Sequence, residues 1–168
     1  DGLVLEAIAA AAGVDVARVR RAALFLGDLS AVATLARTGG AEALTAVTPR
    51  LFVPLLPMLA EIATDWDDVL ASHGGRTALE YKYDGARIQL HADGDRVAIW
   101  SRRMSDVTRS LPDIVALARD HFYRSAPLIL DGEVVALDAA GRPLPFQELM
   151  RRFRRVRGVE EAAGSLPR

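Results

Sequence analysis

Glu80-Tyr81-Lys82-Tyr83-Asp84-Gly85-Ala86-Arg87 closes an apolar run that begins at Thr77, and two further short runs follow it, Arg87 to His91 and Val97 to Ser101. Asp-Gly pairs stand between them at 84–85 and 93–94. Short β-compatible runs separated by such pairs are the pattern of antiparallel strands joined by tight turns. The stretch therefore predicts three strands, the first of them Thr77 to Lys82. Side chains alternate along a strand, so Glu80, Lys82 and Asp84 are expected in one row, with Tyr81 and Tyr83 on the opposite face. Arg87 and Arg102 then fall at strand ends near the same mouth.

Lys82 is the one lysine among 21 Lys+Arg residues. Arginine serves every other basic position, which singles out a place where guanidinium fails. The two side chains differ most in nucleophilicity, because guanidinium stays protonated while an ammonium can lose its proton and attack an electrophile. Two permanent cations nearby disfavour the charged amine, and the same arginines are suited to phosphates. Lys82 is thus a candidate nucleophile.

Working outward, the 168 residues are 51% hydrophobic with a formal net charge of −1, material for one core or one and a half. No apolar run is long enough to span a bilayer and no signal peptide is evident, so a soluble, non-membrane protein is expected. With no cysteine, disulfides, thiolate metal sites and cysteine catalysis are excluded, and a cytoplasmic location fits. Near-neutral charge leaves no global nucleic-acid footprint, although Arg151, Arg152, Arg154, Arg155 and Arg157 form a local cationic cluster. Helical spacing would put Arg151, Arg154 and Arg155 on one side, as a DNA-backbone contact or a solvated face.

Residues 1–50 show helical spacing over Leu3 to Ala12, Asp15 to Leu26 and Asp28 to Arg37, punctuated by Gly13, Gly27 and Gly39-Gly40. Prolines in the stretch from Thr48 to Pro57 break helix and mark a linker. Later elements are a helix from Pro112 to Phe122 introduced by Ser110 and Asp113, a strand from Leu128 to Leu137, and a helix starting near Phe146. The fold class is α+β: an all-α segment, a linker, then an antiparallel sheet with helices. Trp66 and Trp100 are expected at the core or its boundary. His73, His91 and His121 lack metal-ligand spacing and are read as structural or solvent-facing.

Lys82-Tyr83-Asp84-Gly85 with Arg87 resembles the K-x-D-G-x-R signature of the covalent nucleotidyltransferases, which comprise DNA ligases, RNA ligases and mRNA capping enzymes. Further matches follow in order. Ser101-Arg102 resembles the family's second motif and Leu130-Asp131-Gly132-Glu133 its third. Pro145-Phe146-Gln147-Glu148-Leu149-Met150 is similar to the P-F-Q-x-L segment of replicative-type ATP-dependent DNA ligases. Upstream, Pro54-Leu55-Leu56-Pro57-Met58-Leu59-Ala60 resembles the P-x-x-P-M-L-A entry into their adenylation domain. The matches span about residues 54 to 155.

This resemblance implies that residues 1–50 are the C-terminal part of a helical DNA-binding domain. Residues 51–168 would be the N-terminal part of an adenylation domain, in a monomeric, cytoplasmic, nucleoid-associated enzyme of DNA replication, repair or recombination. The chain would be a fragment, not competent to seal DNA alone. Lys82 would carry AMP taken from ATP and pass it to the 5′-phosphate of nicked double-stranded DNA. Glu80 would accept from the adenine amino group, Arg87 and Arg102 would contact ribose and phosphate, and Glu133 would bind the ribose or Mg2+. Asp84 would brace the loop. The alternatives are an RNA ligase or capping-type enzyme, which shares the Lys82 signature, and a non-catalytic nucleic-acid-binding module in which only the arginines matter.

Overall fold

Helices α1 (Gly2–Ala12), α2 (Val16–Leu26) and α3 (Leu29–Thr45) open the chain, which a computed structural model describes over residues 2–58, 60–122 and 126–153. Two starts are set by side-chain caps. Asp15 accepts from the Ala17 amide at 3.1 Å, and Asp28 from the Ser30 and Ala31 amides at 2.8 and 3.3 Å. These carboxylates satisfy N–H groups that the first helical turn leaves unpaired. Gly27 ends α2 at φ +65, where a side chain would be strained.

The third helix departs from the expected end at Arg37. Gly40 (φ 60, ψ −152) breaks the helical geometry, but a second helical piece abuts it and runs to Thr45. That piece is kept because Leu44 is fully buried with Val19 and Val32 in the helical core. Arg21 closes its end by donating to the Thr45 and Val47 carbonyls, both at 3.1 Å.

The sheet is antiparallel in the order β2-β1-β3, with β1 (Ala86–Asp93), β2 (Arg96–Ser101) and β3 (Leu128–Val134). Asp93 pairs with Arg96 across the expected turn, where Gly94 takes φ +54. One face is apolar. Ile88, Leu90, Val97, Ile99 and Val134 form a second core with Leu111, with Ala118 of α5 (Pro112–Phe122) and with Leu149 of α6 (Phe146–Phe153). The helix α5 begins at Pro112, a position that needs no N–H, and Leu111 accepts from Val115 to start its ladder. The other face is polar: the register sets Arg87 opposite Glu133 and Gln89 opposite Asp131 and Trp100.

Three expectations are corrected. Residues 77–83 are not a strand: they are irregular and have no ladder partner among the described residues, so the row of Glu80, Lys82 and Asp84 does not form. Periodicity proposes a strand, but a strand persists only where a neighbour takes its backbone groups. The strand β3 stops at Val134, and Leu137 makes an isolated bridge to Pro143 instead. A short helix, α4 (Trp66–Ser72), was not anticipated; it is capped by Asp65 and buries no residue, leaving Trp66 69% exposed rather than in the core.

The Thr48 to Pro57 linker is irregular, as its prolines require, yet it is fastened to both the helices and the sheet. Leu56 donates to the Leu24 carbonyl of α2 at 3.0 Å. Phe52 donates to His91 Nδ1 at 2.8 Å and Leu55 to Gln89 Oε1 at 2.7 Å, both on the polar face of β1. Covered by this crossing, Gln89 and His91 are buried although they stand on the polar side.

Candidate active site

The part of the polar face that the linker leaves open forms a cleft of about 1870 Å³. That is larger than an ordinary small-ligand pocket, so it is a groove able to take an extended ligand. Its floor is the sheet: Arg87 from β1, Ser101 at the end of β2, and Asp131, Gly132 and Glu133 from β3. One wall is the irregular segment from Glu80 to Gly85. Arg102 and Arg103 stand in the turn after β2, where Met104 adopts φ +58 and donates to the Ser101 carbonyl at 2.9 Å. Met58 and Ala60 close it from the linker side, and Phe146 and Met150, four residues apart on α6, from the other.

Glu80, Lys82, Arg87, Arg102 and Glu133, all expected at the site from sequence, therefore line one cleft although they come from three separate stretches of chain. Lys82, Glu80, Arg102 and Glu133 are exposed and make no hydrogen bond or ion pair with other described residues. Long charged side chains that share a cleft without pairing remain available to a ligand. Tyr81 and Tyr83 line the same cleft instead of facing away, with Tyr81 90% exposed.

Arg87 is the exception. Its Nε donates to Asp131 Oδ1 at 2.9 Å and its Nη2 to Oδ2, a bidentate pair. The hydrogen bond from Arg87 is the main cause that holds the Asp131 carboxyl below its ordinary value, and the same bond holds the guanidinium charged. Arg87 is thereby removed as an unpaired cation beside the amine, and its fork is fixed over the cleft floor. Sequence reading had assigned Asp131 no role. The available signal was the spacing of Asp131 and Glu133, which puts both carboxylates on one strand face.

Gly85 joins the nucleophile segment to the sheet. A Cβ built there would collide with the Val134 carbonyl oxygen and lie 2.8 Å from Glu133 Cγ. Its φ is not positive, so the requirement is close approach rather than a left-handed turn. Glycine thus lets the segment bearing Lys82 run against the strand bearing Glu133.

Arg151 is exposed on α6 and donates to Glu148 at 2.8 Å; Arg154 and Arg155 fall outside the described residues. Among the described residues, no group of three or more His, Asp or Glu is gathered to hold a metal ion, and no helix is long and apolar enough to cross a membrane. Trp100 is buried against His91, their rings 4.6 Å apart, as expected of a core aromatic.

The sequence that builds this cleft has counterparts among known proteins. The family model of the ATP dependent DNA ligase domain matches residues 57–167, and the chain belongs to that family. It is 48% identical to a probable DNA ligase of Anaeromyxobacter dehalogenans (strain 2CP-C), over 99% of this chain and 32% of the relative. It is 43% identical to a DNA ligase of Thermococcus fumicolans, over 99% of this chain and 30% of the relative. The chain thus spans about a third of the length of these curated relatives. A crystal structure of the ligase domain from M. tuberculosis LigD is 36% identical over 47% of this chain and 24% of its own, with a TM-score of 0.35.

Proposed function

We propose that this chain is the part of an ATP-dependent DNA ligase that becomes adenylated, with Lys82 as the nucleophile and nicked double-stranded DNA as the final substrate. The observation that carries this reading is that Lys82, unpaired among the described residues, shares a cleft with Glu80, Arg87, Arg102 and Glu133. Residues 51–168 are then the first part of the adenylation domain and residues 1–50 the tail of a helical DNA-binding domain. The separate cores of the helices and the sheet support that division.

The reaction follows from the residues. Lys82 Nζ, as the free amine, forms a bond to the α-phosphorus of ATP while the bond to pyrophosphate breaks, and the amine proton leaves to water. AMP remains on Lys82 as a phosphoramidate. It then passes to the 5′-phosphate at a nick, and attack by the 3′-hydroxyl expels AMP and joins the strand. A covalent lysine splits one difficult displacement into steps that depend on positioning and charge neutralisation. Arg87, fixed by Asp131, and Arg102, exposed in the turn after β2, supply cations for phosphate and ribose. Glu80 accepts from the adenine amino group.

Glu133 suits Mg2+ as a hard oxygen donor that lines the cleft and makes no hydrogen bond or close ion pair among the described residues. Held by few protein ligands, such an ion would complete its shell with water and substrate oxygens. When bound, Mg2+ neutralises phosphate charge.

The test is to incubate the full-length protein with labelled ATP, GTP or NAD. Acid-labile label from ATP alone, mapped to Lys82, is the expected result. Label from GTP would favour a capping-type enzyme, and no label a binding module.

A further inference from the structure

The linker crossing is built from groups that the reaction does not use. His91 has no solvent exposure. Its Nδ1 accepts from the Phe52 amide at 2.8 Å, so that nitrogen carries no proton; the proton is on Nε2, which donates to Gln89 Oε1 at 3.0 Å. The same Gln89 oxygen accepts from the Leu55 amide at 2.7 Å. Two buried side chains thus capture two backbone amides of the linker, and each bond dictates the next. Phe52 holds φ +63, a conformation a phenylalanine rarely adopts, and the Arg96 guanidinium lies 3.6 Å over its ring. A strained residue persists only where its surroundings hold it. Immediately beyond the captured segment, Pro57 and Met58 border a smaller cavity with Arg87, Arg102 and Asp131, and Met58 reaches the main cleft.

We infer that His91 and Gln89 are positioning residues for the nucleotide cleft: by clamping Phe52 and Leu55 onto the polar face, they fix the Pro57–Met58 wall beside Arg87 and Arg102. The inference rests on the adenylation reading, since it concerns the wall of that site. The clamp acts on binding more than on chemistry, because Met58 borders the ligand space and carries no reacting group.

Two substitutions at one position separate a clamp from a core filler. His91→Phe keeps a ring against Trp100 and removes the acceptor for Phe52. His91→Asn removes the ring and places an amide oxygen where Nδ1 stood. In full-length protein, His91→Phe is expected to raise the KM for ATP in self-adenylation on the order of fivefold, about the factor for one buried hydrogen bond, with kcat little changed. His91→Asn should lie nearer to wild type. Hydrogen exchange at the Phe52 amide reads the clamp without the reaction: it should accelerate in His91→Phe and stay slow in His91→Asn. An unchanged KM in His91→Phe, unchanged exchange at Phe52 in that variant, or the reverse order in either measurement overturns the proposal. Should either variant fail to fold, Gln89→Met and Gln89→Glu pose the same question at Leu55, the glutamate keeping the acceptor and the methionine losing it. Wild-type protein that takes no label from ATP would refute the adenylation reading, while the exchange rates would still decide the clamp.

Discussion

Arg87 stands directly opposite Glu133 in the sheet register, yet it donates from Nε and Nη2 to Asp131, the residue opposite Gln89. The diagonal pairing leaves Glu133 without a hydrogen bond among the described residues, near enough to Arg87 to add to the field on it, while holding Arg87 over the cleft floor. It divides two neighbouring acids into one that orients a cation and one that is open to ligand.

Asp131→Asn should therefore impair ATP use by releasing Arg87, at little cost to the fold. Both partners are partly exposed, 38% and 48% at the side chain, so the pair contributes at most about 1 kcal/mol to stability. The fold depresses the Asp131 pKa from 3.8, so its contribution is complete above that value and is lost as pH falls through the lower folded value. The stability difference between wild type and Asp131→Asn should then be flat from about pH 7 to 5 and shrink below about pH 4. Denaturant titrations across pH check this, and a difference that grows in acid would contradict it.

Gly85→Ala should cost more than an exposed glycine normally would. The new Cβ meets the Val134 backbone and Glu133 Cγ, which must be pushed apart, and overpacking of this kind costs about 1–3 kcal/mol. Thermal unfolding and self-adenylation should both suffer. A variant as stable as wild type would show that the segment at 80–85 does not rest on β3 as described.

Much of this fold could be read from residue order because its signals are local. Asp15, Asp28 and Gly27 mark helix ends by their own chemistry, and Asp93-Gly94 makes a turn without help from elsewhere. What escaped depends on distant chain. Residues 77–83 alternate like a strand but meet no strand neighbour among the described residues, and Gly39-Gly40 reads as a stop until Leu44 is seen to be buried. The site residues came from motifs, whereas the pairing of Arg87 with Asp131 needed the register, and the linker clamp at His91 and Gln89 needed contacts between residues 34 and 39 positions apart.

Glu80 should choose the base. A carboxylate accepts from the adenine amino group but faces a carbonyl on guanine, a mismatch worth about 1–3 kcal/mol. Glu80→Ala should weaken self-adenylation with ATP more than sealing of a pre-adenylated nick. Equal loss in the two assays would make Glu80 a structural residue.

Arg151 is exposed and shared with Glu148, so its role as a phosphate contact is open to a direct test. If it touches the DNA backbone in the full-length protein, Arg151→Gln should lower the salt slope of nicked-DNA binding by about one unit and leave self-adenylation unchanged. An unaltered slope would mean a solvated helix face.

The most direct test of the central claim is the intact mass of full-length protein after incubation with ATP and Mg2+, compared between wild type and Lys82→Arg. The arginine keeps the charge and a similar stem but cannot become a neutral nucleophile. Wild type should gain one AMP, localised to Lys82, and Lys82→Arg should gain none while retaining its fold by circular dichroism. An AMP adduct on the arginine variant would contradict the assignment of Lys82 as the nucleophile.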